Sequence, residues 1–193
     1  TDLFFFFLEN NHQEAKIIDL MKANLVALKY LIFFGIIFSV PFFLIWKNDF
    51  SLALFNSESH FIKFLFPLIA MILGIIVHEL IHGMFFALFA TKGIKAIKFG
   101  ILWKMMTPYC HCKEPLKIKH YTIALLAPFV LLGIIPTVVS LFNGNFFLLV
   151  FGILFSGMAA GDLMIYHLIK KENPDDYVQD HPSEAGYFIF RKK

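Results

Sequence analysis

The chain has 193 residues, of which 59% are hydrophobic and 26 are phenylalanine, and its mean hydropathy is +0.72. This apolar content excludes a water-soluble globular domain, and the length suits one compact bundle rather than two large domains. The net charge of +3 is unremarkable, and no nucleic-acid partner is expected. We therefore predict an integral membrane protein that forms a single domain over residues 1–193.

Four apolar segments are long enough to cross a lipid bilayer as helices. They are predicted at residues 24–46, 61–90, 121–142 and 146–169. The predicted fold class is accordingly an all-α membrane protein with four transmembrane helices. Residues 1–23 mix apolar and charged side chains, and two interpretations stay open for them. They form either an interfacial helix with Ile17, Ile18, Leu20 and Met21 on one side, or a loosely ordered arm.

The connections between these segments differ in composition. Between the second and third segments, residues 94–103 and 105–112 are predicted as two short strands that form a hairpin-like insert. A tight turn is predicted at Asn143-Gly144-Asn145. From Glu172 onward the tail is polar, and residues 186–190 form either a short strand or an interfacial patch.

Basic residues are distributed unevenly among the connections. With four spans, the N-terminus, the loop at 91–120 and the C-terminal tail lie on one side of the membrane and carry 15 of the 17 Lys and Arg residues. Lys47 and Lys63 lie on the other side. Because positive residues accumulate on the cytoplasmic side, both termini are expected in the cytoplasm. Cys110 and Cys112 are expected there as reduced thiols.

The second apolar segment contains His78-Glu79-Leu80-Ile81-His82, an H-E-x-x-H sequence. Residues four apart lie on one face of a helix, so His78 and His82 can bind a single metal ion. Glu79 is close enough to accept a proton from a water molecule on that metal. Titratable groups in an apolar span are costly, which favours a functional role. The alternative is a polar cluster that joins helices through hydrogen bonds.

A catalytic zinc site needs a third protein ligand, and Asp162 is the other acidic residue inside a predicted span. At 1.5 Å per residue, His78, His82 and Asp162 all lie roughly 21–27 Å from the outer membrane boundary. Asp162 is therefore predicted as the third ligand, the alternative being a hydrogen bond within the bundle. Small residues before it are expected to admit a neighbouring helix: Gly157, Ala160 and Gly161.

The Cys110-His111-Cys112 segment is a weaker metal-binding candidate. In an extended strand the two cysteines face one way and His111 faces the other. His111 or Tyr109 can instead donate a hydrogen bond to an oxyanion.

These residues resemble known families. The H-E-x-x-H sequence in one span and Asp162 in a later span resemble the site-2 protease type of intramembrane metalloprotease. The overall layout is more similar to a small bacterial family of putative zincin peptidases. That similarity includes Tyr109-Cys110-His111, Glu114-Pro115, Gly161-Asp162 and Asp180-His181-Pro182-Ser183. The resemblance implies a protein of the bacterial cytoplasmic membrane.

The predicted function is zinc-dependent hydrolysis of peptide bonds in or near transmembrane segments. One zinc ion per chain is held by His78, His82 and Asp162, Glu79 is the general base, and the substrate is a membrane protein or peptide. Two alternatives stay open: a non-catalytic metal-binding protein that acts as a staple or sensor, and a small ion transporter. A staple needs no base, and the chain has no internal repeat of the kind common in transporters.

Overall fold

The computed structural model describes residues 11–17, 20–47, 49–52, 59, 61–102, 107–181 and 186–192. Helices make up most of this part of the chain. They are α1 (Leu20–Trp46), α2 (Phe66–Phe89), α3 (Ile118–Pro128), α4 (Ile135–Asn143), α5 (Phe146–Met158) and α6 (Ala160–Ile169). A π-helical segment, Phe61–Leu65, leads into α2, and another, Phe129–Ile134, joins α3 to α4. The strands are β1 (Asn11–Ile17), β2 (Ile97–Leu102), β3 (Thr107–Cys112), β4 (Leu116–Lys117), β5 (Tyr177–Asp180) and β6 (Gly186–Lys192).

Three helical stretches are long and apolar enough to cross a membrane: Asn24–Trp46, Phe61–Phe89 and Ile118–Asn143. The fourth predicted span is not one straight helix. α5 and α6 are bent by 47° where they meet, at Ala159. The described residues therefore contain three candidate spans, or four if the bent pair is one span. The prediction of apolar spanning helices is confirmed at this level.

One compact unit of the chain comprises residues 24–78 and 127–161. Its helices approach closely at small residues: a Cβ added to Gly157 would lie 2.8 Å from Leu31, and one added to Gly133 would collide with Ser156. The expectation of a close helix contact is thus correct for Gly157. It is wrong for Gly161, because an added Cβ there would have no neighbour within 4 Å.

Large apolar side chains on α1 and α2 are exposed, for example Leu44 (71%) and Leu68 (55%). An apolar surface of this extent is unfavourable in water and suits contact with lipid.

The tight turn predicted after α4 is also present. Gly144 adopts a left-handed conformation with φ of 66°, and the Asn145 side chain caps α5 by accepting a hydrogen bond from the Leu148 amide. Because glycine adopts positive φ without strain, it ends α4 here.

The other unit comprises residues 79–126 and 162–192 together with β1. β2 and β3 pair antiparallel from Ile97–Cys112 to Leu102–Thr107, which confirms the two paired strands of the insert. The first strand begins later than predicted, because Gly93–Ala96 forms a 3-10 helix, and residues 103–106 lie outside the described part. A four-stranded antiparallel sheet in the order β1-β6-β5-β4 lies in the same unit. The all-α prediction missed this sheet, since its strands are short and come from four separate parts of the chain.

The two ends of the chain pair with each other, which corrects both interpretations of the N-terminal segment. Residues 11–17 form a strand paired along its full length with β6, and helix begins at Leu20; residues 1–10, 18 and 19 lie outside the described part. Residues 186–190 form a strand rather than an interfacial patch. Tyr187 and Ile189 are fully buried in the core of this unit, so the tail is structural. Arg191 on β6 forms ion pairs with Glu14 on β1 (2.7 Å) and with Glu172, which follows α6 (2.9 Å).

Candidate metal centre

His82 lies on α2 with its ring fixed by a backbone carbonyl. Its Nδ1 is 3.0 Å from the carbonyl oxygen of Ala124 on α3. A carbonyl oxygen only accepts hydrogen bonds, so Nδ1 carries a proton and Nε2 is the ring nitrogen left to bind a metal. A metal-binding histidine is commonly oriented in this way. Ala124 is fully buried, so water does not compete for this carbonyl.

Asp162 lies in the first turn of α6, directly after the bend at Ala159. Its Oδ1 is 3.4 Å from Nε2 of His82. Because the bend starts a new helix, the carboxylate lies near a helix N-terminus, where the helix dipole stabilises negative charge. The bend thus places an anionic ligand group beside Nε2 of His82.

His78 lies one helical turn before His82, and both side chains are buried (8% and 6% exposed). One ligand atom from each of His78, His82 and Asp162 can be chosen so that all lie within 4.8 Å of one another. Two ligands that each lie 2.0–2.1 Å from a tetrahedral zinc ion are about 3.3 Å apart. The separation of 3.4 Å between His82 and Asp162 therefore fits a shared ion, and two imidazoles with one carboxylate are a donor set that zinc accepts.

The β2–β3 hairpin packs against α2 next to the motif. Phe99 and Cys110 are directly opposite each other in the hairpin and so share a face. A Cβ added to Gly83 would lie 3.0 Å from a Phe99 ring carbon and 3.4 Å from the Cys110 sulfur. The missing side chain of Gly83 is therefore what lets the hairpin approach α2 one residue beyond His82.

The two cysteines are free thiols. Burial raises the pKa of Cys112 to about 12, and burial together with the charge of Glu79 raises the pKa of Cys110 well above its usual value. The thiolate is the metal-binding form, so these environments disfavour the cysteines as ligands.

His111 and Tyr109 lie on the hairpin face opposite Cys110. His111 pairs in register with Lys98, and its Nδ1 is 3.9 Å from Oδ2 of Asp180. Burial lowers its pKa. The ring of Tyr109 covers Gly100 on the neighbouring strand. Their role as oxyanion donors stays a prediction.

Three residues of this region carry no role in the sequence prediction: Ala124, Tyr121 and Asp180. The Tyr121 hydroxyl donates to Oδ1 of Asp180 (2.5 Å), and the Cys112 amide donates to Oδ2 (2.9 Å). The Tyr121 ring lies 5.2 Å from that of Phe86, which is stacked 6.0 Å from the His82 ring. These contacts connect β5 to the motif helix. Asp180 appeared in the sequence only through the family resemblance, and a backbone carbonyl such as that of Ala124 leaves no signal in a sequence.

Replacing Asp180 with alanine is expected to destabilise the protein. Burial raises the pKa of this carboxyl group, and its removal leaves the Tyr121 hydroxyl and the Cys112 amide without their acceptor. Each orphaned buried donor costs roughly 1–3 kcal/mol. Thermal unfolding in detergent should show a clearly lower midpoint for Asp180→Ala. Asp175→Ala is the control, since Asp175 is exposed, and it should unfold like the wild type. Equal midpoints for all three proteins would contradict the structural role of Asp180.

Comparison with known proteins identifies the class. Residues 71–177 match the family described as "Putative zincin peptidase", which indicates a metallopeptidase. This match covers more than half of the 193 residues, so the chain belongs to that family. It includes His78, His82, the hairpin and Asp162, and it ends before Asp180. No curated protein and no solved structure gives a significant match.

Proposed function

We propose that this protein is a zinc-dependent intramembrane peptidase that hydrolyses peptide bonds in or near transmembrane segments of membrane proteins or peptides. The observation that carries the proposal is the approach of Nε2 of His82 to Oδ1 of Asp162, with His78 in the same cluster and Glu79 next to it in sequence. Membership of a zincin peptidase family supports the same conclusion.

In this proposal His78, His82 and Asp162 hold the zinc ion. A bound zinc ion polarises the substrate carbonyl and lowers the pKa of a water molecule to near 7. The Ala124 carbonyl accepts a hydrogen bond from Nδ1 of His82 and so orients the ring with Nε2 towards Asp162. Glu79 accepts a proton from the attacking water and passes it to the amine nitrogen as the peptide bond breaks. Glu79 is half-buried.

The β2–β3 hairpin offers a strand edge to which an extended substrate can bind. A transmembrane helix satisfies its own carbonyl groups, so cleavage requires an extended stretch of the substrate. β2 and β3 form a two-stranded sheet, which leaves one edge of each strand unpaired within the described residues. An extended peptide can add to such an edge through backbone hydrogen bonds. Because the hairpin packs on α2 at Gly83, a peptide bound to it would lie near the motif.

The proposed location is the bacterial cytoplasmic membrane, with both termini in the cytoplasm. The loop at 91–120 and the C-terminal tail then lie on the cytoplasmic side with most of the basic residues. The histidines are nearer to this side than to the other, which gives water a short path to them.

Metal removal tests the proposal. Protein purified in mild detergent is assayed for cleavage of transmembrane peptides before chelation, after chelation and after zinc is added back. Cleavage should disappear with the metal and return with zinc, while circular dichroism shows that the helices persist. An untreated protein that carries zinc, cleaves no membrane peptide and unfolds on chelation would contradict a peptidase. That outcome would support the non-catalytic metal-binding alternative.

A further inference from the structure

A cavity of about 370 Å³ lies where α2 ends and α3 begins. We call it the lysine cavity, because Lys92, Lys113 and Lys117 line it. Apolar surface is contributed by Phe89, Pro115, Leu116 and Tyr177. None of these residues belongs to the candidate metal centre. The lining therefore combines cationic groups with an apolar surface, which suits an amphiphilic anion.

The charge of the lysine cavity is positive. Three lysines and one glutamate, Glu114, give a net charge of +2 when His120 is neutral. The carboxylate of Glu114 is engaged at the end of α2, where its Oε2 accepts hydrogen bonds from the Thr91 amide (2.8 Å) and hydroxyl (2.6 Å). Lys92 is only loosely paired with it, at 3.9 Å. One carboxylate oxygen of Glu114 is thus engaged by Thr91, and the other, Oε1, is the oxygen that faces Lys92.

The other two lysines are also available to a ligand. Lys117 shares the exposed carboxylate of Asp175 with Lys119, at distances of 3.3 and 2.9 Å. For Lys113, no ion pair is present among the residues that the structure describes. Pairs between exposed charges contribute little to stability, so a bound anion can compete with Asp175 for Lys117 at a small energetic cost.

The position of the lysine cavity relative to the candidate spans indicates which class of ligand it can bind. Phe89 is the last residue of one candidate span and His120 is the third residue of the next. Their rings stack at 4.6 Å and form one wall. The cavity therefore lies at the level where two spanning helices leave the apolar layer, on the side of the basic loop. Phospholipid headgroups occupy this level of a membrane.

We propose that the lysine cavity binds the headgroup of an anionic phospholipid, with the phosphate near the lysines and the glycerol region against Phe89 and Leu116. Basic pockets at the ends of transmembrane helices recognise such headgroups. The lipid's acyl chains stay in the bilayer along the exposed apolar surface of the spans. The proposal rests on insertion of the protein in a membrane, which is part of the proposed function, and not on peptidase activity.

Lipid retention in native mass spectrometry tests the proposal. The full-length protein in detergent is given equal amounts of phosphatidylglycerol and phosphatidylcholine with identical acyl chains. The wild type should retain phosphatidylglycerol roughly tenfold more than phosphatidylcholine. The combined variant Lys92→Gln, Lys113→Gln, Lys117→Gln should lose this preference. The matched control Lys95→Gln, Lys98→Gln, Lys171→Gln removes the same charge from exposed lysines outside the cavity and should keep it.

Three results would overturn the proposal. The first is equal retention of the two lipids by the wild type, which would overturn the proposal whatever the variants show. An equal loss of preference in both variants would show general attraction to basic residues instead of a site. Displacement of phosphatidylglycerol by excess inorganic phosphate would show that the cavity takes a free anion. Circular dichroism checks that both variants are folded. Their zinc content should equal that of the wild type, because the substituted lysines are not part of the candidate metal centre.

Discussion

Replacing Glu79 with glutamine is expected to abolish peptide hydrolysis while zinc stays bound. Glutamine has almost the same size and shape as glutamate but cannot accept the proton of the attacking water. Loss of a general base slows such reactions by roughly 10²- to 10⁴-fold. The metal ligands are other side chains, so His78, His82 and Asp162 should hold zinc as before. Cleavage of a transmembrane peptide and the zinc content per chain are measured on the same preparation.

Glu14→Gln is the matched control for this substitution. Glu14 lies on β1 and is ion-paired with Arg191, away from the H-E-x-x-H sequence, so the same chemical change there should leave hydrolysis intact. Full activity of Glu79→Gln would exclude the proposed base. Loss of zinc together with activity would instead indicate that Glu79 acts as a ligand.

Replacing Asp162 with alanine is expected to cause loss of bound zinc. The two imidazoles alone are an incomplete donor set, and the carboxylate is the anionic member of the cluster. Loss of outer-sphere partners alone weakens metal binding 10- to 100-fold, so loss of a ligand should weaken zinc binding by at least about 100-fold. Bound metal per chain, measured by mass spectrometry after mild detergent purification, should fall towards zero. His82→Ala should give the same result.

Asp175→Ala is the control for Asp162→Ala, because it removes an exposed carboxylate and should leave zinc content unchanged. Zinc that persists in Asp162→Ala would show that the third ligand is another residue. If the wild type binds no zinc even when it is supplied, the cluster is a set of hydrogen bonds between helices and the peptidase proposal fails.

The sequence by itself determined the features that depend on neighbours along the chain. The apolar segments follow from composition, because a spanning helix needs about 20 consecutive apolar residues. The pairing of His78 with His82 follows from helical periodicity alone. The β2–β3 hairpin and the turn at Gly144 are local as well, since each joins segments that are close in sequence. Asp162 could be named only because few charged residues lie in apolar spans.

Only the tertiary structure decided the features that depend on distant segments. β1 pairs with β6 across almost the whole chain, and no local pattern encodes such a partner. The bend at Ala159 begins a new helix just before Asp162, although the sequence there is compatible with one continuous span. The Ala124 carbonyl orients His82, and a backbone group has no identity in a sequence. Asp180 is held by Tyr121 and Cys112, which lie 59 and 68 residues away. Such contacts arise from packing, because a buried polar group takes whichever partner the fold brings within reach.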